Sequence, residues 1–264
     1  SQGIARVLEP IAVKKAALIS GVSTPYFQSV IDRNHETPPV NVSMPYGFDP
    51  IDHKIKLDNI VYPWGYQKDI KPWIYAGAFL PNSHLFIDCL FKSIANLRSE
   101  KIWDDNIRLY FIGTGNYPAK RITAYAKDAG IDDLVYEQRE RSPFLNVLNF
   151  LSAADKILLI GSTEKHYTAS KTFQCLLSQK PILSMLHHKS SACEILKKTK
   201  ADSLLFAYNE NMKNEEIIED VKKILVEFIK TKQWNIDLLP LEKYSAKQSA
   251  KILVKGIEKA ILQS

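Results

Sequence analysis

The stretch from Leu151 to Pro181, LSAADKILLIGSTEKHYTASKTFQCLLSQKP, is the most informative part of the sequence. It holds an uninterrupted apolar run at residues 157–160, then a glycine, a polar loop and an amphipathic segment. A short run that is apolar throughout suits a strand covered on both faces, as in a parallel sheet. The order of strand, loop and helix is the repeating unit of α/β folds.

The same unit recurs along the chain. Amphipathic segments at residues 85–97 and 217–228 show helical spacing of apolar side chains. This alternation predicts an α/β fold with a Rossmann-like, doubly wound parallel sheet of about six strands and helices on both faces. The other apolar runs begin at Trp73, Ile107, Leu134, Pro181 and Ser203.

Composition and charge are those of a soluble globular protein, with 264 residues, 45% hydrophobic and 24% charged. The formal charge of +6 is attributed mainly to lysines on helix surfaces, with attraction to anionic ligands or a membrane surface as the alternative. Cys89, Cys175 and Cys193 are far apart and suit buried thiols in a reducing compartment. With no apolar run of about 18 residues and no signal-peptide pattern at residues 1–17, we expect a cytoplasmic location.

Three predicted strands end in glycine, at Gly77, Gly113 and Gly161. Ligands of open α/β sheets bind beyond the carboxyl ends of the strands, and glycine lets a ligand approach the backbone closely. Each glycine alone is an ordinary turn residue. Three at one edge of a sheet favour a nucleotide-type ligand.

The polar loop at residues 162–171 is the candidate anion site. A helix is predicted to begin near Thr168, and its first N–H groups and its dipole favour an anion. Thr168, Ser170 and Lys171 add hydroxyls and a cation, so a diphosphate cradle is predicted. The alternative is that Thr168 only caps the helix and His166 is an ordinary loop histidine.

No metal or cofactor is predicted. The six histidines lack the HxxxH and HExxH spacings of metal sites. His187 and His188 are adjacent and, in a strand, are expected to point to opposite faces. No nucleic-acid partner is expected either.

Several short motifs, taken in order, resemble those of family 4-type GT-B glycosyltransferases, chiefly of their C-terminal, donor-binding domain. They are Val42–Pro50 (VSMPYGFDP), Tyr75–Gly77 (YAG), Gly113–Gly115 (GTG), Leu151–Asp155 (LSAAD) and Ser170–Pro181 (SKTFQCLLSQKP). The resemblance covers nearly the whole chain, and it depends on the order and spacing of the motifs.

The resemblance implies a donor site. The glycine-containing motifs would line the pocket, residues 136–141 would contact the base, residues 168–171 would hold the diphosphate, and Glu164 with residues 170–174 would face the sugar and ribose. Catalytic residues are not assigned. The implied donor-binding residues are Gly77, Ala78, Phe79, Gly113, Thr114, Gly115, Arg139, Glu164, His166, Tyr167, Thr168, Ser170, Lys171 and Gln174.

Three features depart from the family pattern, one of them the absence of a lysine that often follows the first strand by a few residues and binds the diphosphate. Gln174 stands where a glutamate often binds the ribose hydroxyls, and an amide lacks the charge of that carboxylate. Ala78 stands where an arginine for the diphosphate is common. Arg139, Arg141 or Lys171 would then supply the positive charge.

The resemblance also implies the organisation of the chain. Residues 1–50 would be the tail of the acceptor-side N-terminal domain, 51–72 a linker, 73–240 the nucleotide-sugar-binding domain and 241–264 a crossing helix. The implied function is the donor-binding half of a retaining hexosyltransferase in bacterial polysaccharide or glycoconjugate synthesis. This half alone is expected to be inactive, and a homodimer or peripheral membrane association is among its expected partnerships.

Three rival functions remain open. Tyr167 and Lys171 match the Tyr-x-x-x-Lys motif of short-chain dehydrogenases, although a glycine-rich turn near the N-terminus is lacking. A degenerate, non-catalytic GT-B binding domain is a second alternative. A sugar-nucleotide epimerase of GT-B shape is a third.

Overall fold

A computed structural model describes residues 2–34, 38–45, 47–65, 67, 69–116, 120–165 and 170–263. Contacts divide the chain into a smaller unit, Ser1–Asp49 with Leu241–Ser264, and a larger unit, Pro50–Pro240. The segment predicted as a linker, 51–72, belongs to the larger unit.

The helices and strands alternate through most of the chain. In chain order they are α1 (Gln2–Lys14), β1 (Leu18–Gly21), α2 (Thr24–Arg33), β2 (Val40–Ser43), β3 (Lys71–Ala76), α3 (His84–Ser99), β4 (Ile107–Ile112), α4 (Ile122–Asp128), β5 (Val135–Gln138), α5 (Phe144–Ala153), β6 (Lys156–Ile160), α6 (Lys171–Leu177), β7 (Ile182–His187), α7 (Ser191–Lys198), β8 (Leu205–Tyr208), α8 (Asn214–Lys230) and α9 (Ala246–Gln263). Short 3-10 helices occur at Asp52–Lys54, Pro81–Ser83, Asp132–Leu134 and Leu239–Tyr244.

The smaller unit is built on a parallel pair of strands, β1 and β2, in which Leu18 lies opposite Val40. Helix α9 packs closely against this pair. A Cβ atom at Gly256 would lie 2.8 Å from the Leu18 side chain and 2.9 Å from that of Val42. Glycine therefore lets the helix approach the strands at this point.

The larger unit contains the predicted doubly wound sheet. Its six strands are all parallel and run in the order β5-β4-β3-β6-β7-β8. The first strand of the unit, β3, lies in the middle, and the chain winds outward from it in both directions. The predicted α/β class, strand number and parallel arrangement are confirmed.

Burial on both faces explains the apolar runs in the sequence. Trp73, Ile74 and Tyr75 are all buried, although successive side chains of a strand point to opposite faces. On one face, Trp73 packs against Phe228 of α8 with ring centroids 4.5 Å apart. Helices must therefore cover both faces of β3.

Lys156, the first residue of β6, is a buried cation that closes the end of α8. Its Nζ donates to the carbonyl oxygens of Ile229 at 3.0 Å and Thr231 at 2.9 Å, and also to that of Phe228. Carbonyls in the last turn of a helix lack intrahelical partners, so the ammonium satisfies them. Burial lowers the pKa of Lys156 to about 8.

Helix α6 begins, within the described residues, at Lys171. The start predicted near Thr168 falls at a position outside them. In the part of the chain that the structure describes, no helix is both long enough and apolar enough to cross a membrane.

Candidate functional site

The strand order places a topological switch point at the carboxyl edge of the sheet. Strands β4 and β5 lie on one side of β3, whereas β6, β7 and β8 lie on the other. The winding direction thus reverses between β3 and β6, and doubly wound sheets bind ligands at this point. Gly77 follows β3 and Gly161 follows β6 there.

The loop after β3 leaves the sheet through a left-handed glycine. Gly77 has a φ of +141°, a conformation that other residues rarely adopt. Ala78 is exposed and its carbonyl accepts from the Tyr75 hydroxyl at 2.6 Å. Phe79 is buried, packing edge-on against His84 with a ring separation of 4.8 Å. The Phe79 side chain therefore supports the loop from the core.

The loop after β4 is joined to the end of β5. Gly113 and Gly115 have φ values of +73° and +83°, and the Thr114 hydroxyl donates to the Glu137 carboxylate at 2.8 Å. The Nε of Arg139 donates to the carbonyl of Gly115 at 2.9 Å. These bonds hold the predicted GTG motif and Arg139 together at one corner of the edge.

Lys171 reaches from the first turn of α6 back to the end of β3. Its Nζ donates to the Tyr75 hydroxyl at 2.6 Å and lies 3.9 Å from the centre of that ring. A Cβ atom at Gly77 would be only 3.3 Å from this Nζ. Lys171 and Gly77, 94 positions apart in the sequence, are thus neighbours at the switch point.

The environment of Lys171 disfavours its charge. Desolvation by burial lowers the pKa of the Lys171 ammonium to about 7, and the Cys175 thiol acts in the opposite direction. Among the described residues, Lys171 forms no ion pair. An anion arriving beside this group would stabilise its protonated form.

The loop after β6 is tied to the loop after β3. The backbone N–H of Thr163 donates to the Asn82 carbonyl at 2.9 Å, and the Asn82 side-chain amide donates to the Glu164 carboxylate at 2.6 Å. Glu164 is exposed. Ser170 is also exposed and makes no side-chain capping bond to α6.

Gln174 lies one turn after Lys171 on α6 and pairs with a residue from the 51–72 segment. Its Oε1 is 2.7 Å from the Nε2 of His53. Residues three apart on a helix are neighbours on its surface, so Gln174 lies beside Lys171 on α6. Burial lowers the pKa of His53, which keeps the imidazole neutral.

A second polar cluster joins the ends of β7 and β8. His187 and His188 were expected to point to opposite faces if both lay in a strand, but β7 ends at His187 and His188 lies in the following turn. Their rings lie 4.8 Å apart. Ligand-type atoms of both histidines and Glu210 lie within 4.8 Å of one another. Lys165 pairs with Glu210 at 2.8 Å, linking the β6 loop to this cluster.

The protonation of His187 argues against a metal in this cluster. The Nδ1 of His187 accepts the backbone N–H of Lys189 at 3.0 Å, so the proton of the neutral ring lies on Nε2. That Nε2 faces Glu210 at 3.4 Å. A metal would need the Nε2 lone pair, which this tautomer does not offer.

Most of the predicted donor-binding residues are therefore at the carboxyl edge of one sheet. His166, Tyr167 and Thr168 lie outside the described residues. Four residues that contact the candidate residues were not predicted: His53, Tyr75, Asn82 and Glu137. Of these, only Tyr75 has a local sequence signal, its position in the YAG motif.

Comparison with known proteins relates this arrangement to solved structures. No family model matches the sequence, and no curated protein sequence matches it. The structure resembles Anabaena Alr3699/HepE in complex with UDP and glucose, with a TM-score of 0.68, 13% identity, and coverage of 98% of this chain and 68% of HepE.

Two further glycosyltransferases are similar. The pneumococcal O-GlcNAc transferase GtfA, in complex with UDP and GlcNAc, has a TM-score of 0.62 at 13% identity, with 96% of this chain and 47% of GtfA covered. S. aureus TarM has a TM-score of 0.57 at 11% identity, with 97% and 46% covered. The chain spans about half the length of GtfA and TarM. Its fold is that of the GT-B glycosyltransferases.

Proposed function

We propose that this chain binds a nucleotide-diphosphate sugar as the donor half of a retaining, family 4-type glycosyltransferase. Two arguments support the proposal. The sequence motifs resemble that family in order and spacing, and similar folds hold UDP with a sugar in HepE and GtfA. Hexose transfer in bacterial polysaccharide or glycoconjugate synthesis, in the cytoplasm, completes the proposal.

The observation that carries the proposal is the position of the Lys171 ammonium. It lies beside Gly77, at the point where doubly wound sheets bind their ligands, and no ion pair within the described chain neutralises it. A diphosphate would supply the missing negative charge. The charge that Ala78 does not provide would thus come from α6.

The other candidate residues then have distinct roles. The left-handed glycines after β3 and β4 keep the approach to the backbone open. Arg139, at the corner formed by β4 and β5, is proposed to contact the base. Glu164, which is exposed, is proposed to bind sugar hydroxyls, because a carboxylate accepts hydrogen bonds from them.

The test is calorimetric titration of this chain with UDP-glucose, UDP-GlcNAc, GDP-mannose, UDP, uridine and guanosine. The proposal expects at least one nucleotide sugar to bind more tightly than the bare nucleoside, and Lys171→Met to remove that advantage. Glu164→Gln should weaken binding of the sugar conjugate and leave the nucleoside diphosphate unaffected. Failure of every nucleotide sugar to bind would reject the proposal.

For the whole protein, we also propose that it transfers the sugar to an acceptor and has partners of its own. We expect this chain by itself to bind a donor without transferring sugar, because it spans only part of each similar glycosyltransferase. A homodimer and peripheral attachment to a membrane are proposed partnerships. Turnover with any donor and acceptor pair would contradict the first expectation.

A non-catalytic binding domain is the second candidate function, and Gln174 favours it. The amide stands where a charged carboxylate is common in the family. If the whole protein binds a nucleotide sugar but neither transfers nor hydrolyses it, this second function holds.

A further inference from the structure

His53 and Gln174 form a buried contact between distant parts of the larger unit. The His53 Nε2 lies 2.7 Å from the Gln174 Oε1, and the residues are 121 positions apart. The other ring nitrogen of His53, Nδ1, is buried and has no hydrogen-bond partner. Segment 51–57 is held in place from α5 as well, because the Asn149 side-chain amide donates to the Ile55 carbonyl at 3.0 Å.

The unpartnered nitrogen identifies the tautomer. A buried N–H donor without an acceptor is rarer in proteins than a buried acceptor without a donor. The single proton of the neutral His53 ring is therefore on Nε2, and it is donated to the Gln174 oxygen. This assignment also fixes the carboxamide, whose nitrogen must point away from His53.

The freed amide nitrogen belongs to a residue that neighbours Lys171 on α6. Gln174 shares a face of α6 with Lys171, whose Nζ is at Gly77. Among the described residues, the Gln174 Nε2 has no hydrogen-bond partner. It is therefore available as a donor to an oxygen atom of a bound molecule.

We propose that His53 is a positioning residue of the nucleotide site: it holds the Gln174 oxygen, so that Gln174 presents its NH2 group as a donor to an oxygen of the nucleotide. This inference rests on the proposed function. A neutral donor at this position adds no negative charge beside the diphosphate. It also makes a segment outside the α/β repeat part of the site.

The first test measures the tautomer in the free protein. NMR of the ¹⁵N-labelled imidazole of His53 is expected to show a neutral ring with the proton on Nε2. A proton on Nδ1 would overturn the inference, because the Gln174 amide would then donate to His53 and present its oxygen instead. This measurement needs no variant and no ligand.

The second test is a double-mutant cycle of UDP-glucose affinity. His53→Phe keeps a planar ring but cannot donate to Gln174, and Gln174→Ala removes the amide. We expect His53→Phe to weaken binding by about three- to tenfold, the range of one neutral hydrogen bond. In the Gln174→Ala background it should have no further effect, since nothing remains to be positioned.

The outcomes separate this inference from the proposed function. An equal loss in both backgrounds, or no loss in either, would show that His53 is only structural and would overturn the inference alone. Absence of nucleotide-sugar binding by the unmodified chain would overturn both. Thermal unfolding of each variant, measured beside the titrations, identifies a loss that comes from misfolding.

Discussion

The affinity of this chain for a nucleotide sugar should depend on pH through Lys171. Burial lowers the pKa of Lys171 to about 7, so the free protein carries its charge on about half of the molecules at neutral pH. A diphosphate bound beside Lys171, as proposed, would favour the ammonium and raise that pKa. Binding therefore becomes weaker as the pH rises through 7 and the free lysine loses its proton.

The expected size follows from a single charge-assisted contact. Such a contact contributes about 1.5–3 kcal/mol, which corresponds to a rise of about one to two in the pKa of Lys171 on binding. From that rise, the dissociation constant should increase about five- to tenfold between pH 6 and pH 8. At pH 8, binding should take up roughly half a proton or more per ligand.

Isothermal titration calorimetry with UDP-glucose measures both quantities. The pyrophosphate of this ligand keeps its charge over this pH range, and titrations in two buffers of different ionisation enthalpy give the proton uptake. Lys171→Arg is the matched control: arginine stays charged, so the affinity of this variant for UDP-glucose should not vary with pH. Lys171→Met should bind weakly at both pH values.

A wild-type affinity that is constant from pH 6 to pH 8, with no proton uptake, would refute this reasoning. It would mean that the ligand does not contact the Lys171 ammonium. A constant affinity is expected for Lys171→Arg, because its guanidinium stays charged, and it would not count against the reasoning. His53 cannot imitate the effect, because the arginine variant retains it.

Three further predictions concern stability. Lys171→Met should stabilise the fold at pH 7. The folded pKa of about 7 lies below the ordinary 10.5, so burial of the ammonium costs stability below pH 7, and this cost declines as the pH rises toward 10.5. Urea unfolding should therefore show a smaller gain in stability for Lys171→Met at pH 10 than at pH 7. Gly77→Ala should lower the free energy of unfolding by about 1–3 kcal/mol, because its φ of +141° strains any other residue, and it should weaken nucleotide-sugar binding by displacing Lys171. Gly130→Ala is the control: its φ is +70° and the space around it is open, so it should lower stability without changing binding. Lys156→Met should lower the free energy of unfolding by about 1–3 kcal/mol, because it leaves carbonyls at the end of α8 without a donor, and an unchanged unfolding midpoint would contradict that role.

The fold could be predicted because its signals are local. Each central strand is a short apolar run, and burial on both faces, as at Trp73–Tyr75, requires such a run. The glycines after β3 and β4 have left-handed backbones, so the turn chemistry was also visible in the sequence. Element boundaries were predicted less closely: β8 begins at Leu205, two residues after the apolar run that starts at Ser203.

Contacts between distant residues could not be predicted in the same way. The pairing of His53 with Gln174 spans 121 positions, and no periodicity connects the two segments. For His187 and His188, the argument from alternation holds only inside a strand, and β7 ends between them, so the approach of their rings could not be predicted. Asn82 gave no signal, since its bond to Glu164 depends on two loops that meet only in the folded sheet.

Lys171 shows how a charge at one place in a fold can come from a different place in the chain. The family pattern puts cations after the first strand of the domain, and this chain has Ala78 there. The sheet brings the ends of β3 and β6 together, so the first turn of α6 lies at the same switch point as the loop after β3. A lysine on α6 can therefore place its Nζ beside Gly77, within 3.3 Å of where a Cβ atom would be. Loss of a motif residue thus does not imply loss of the charge, because the crevice at a switch point is lined from both halves of the sheet.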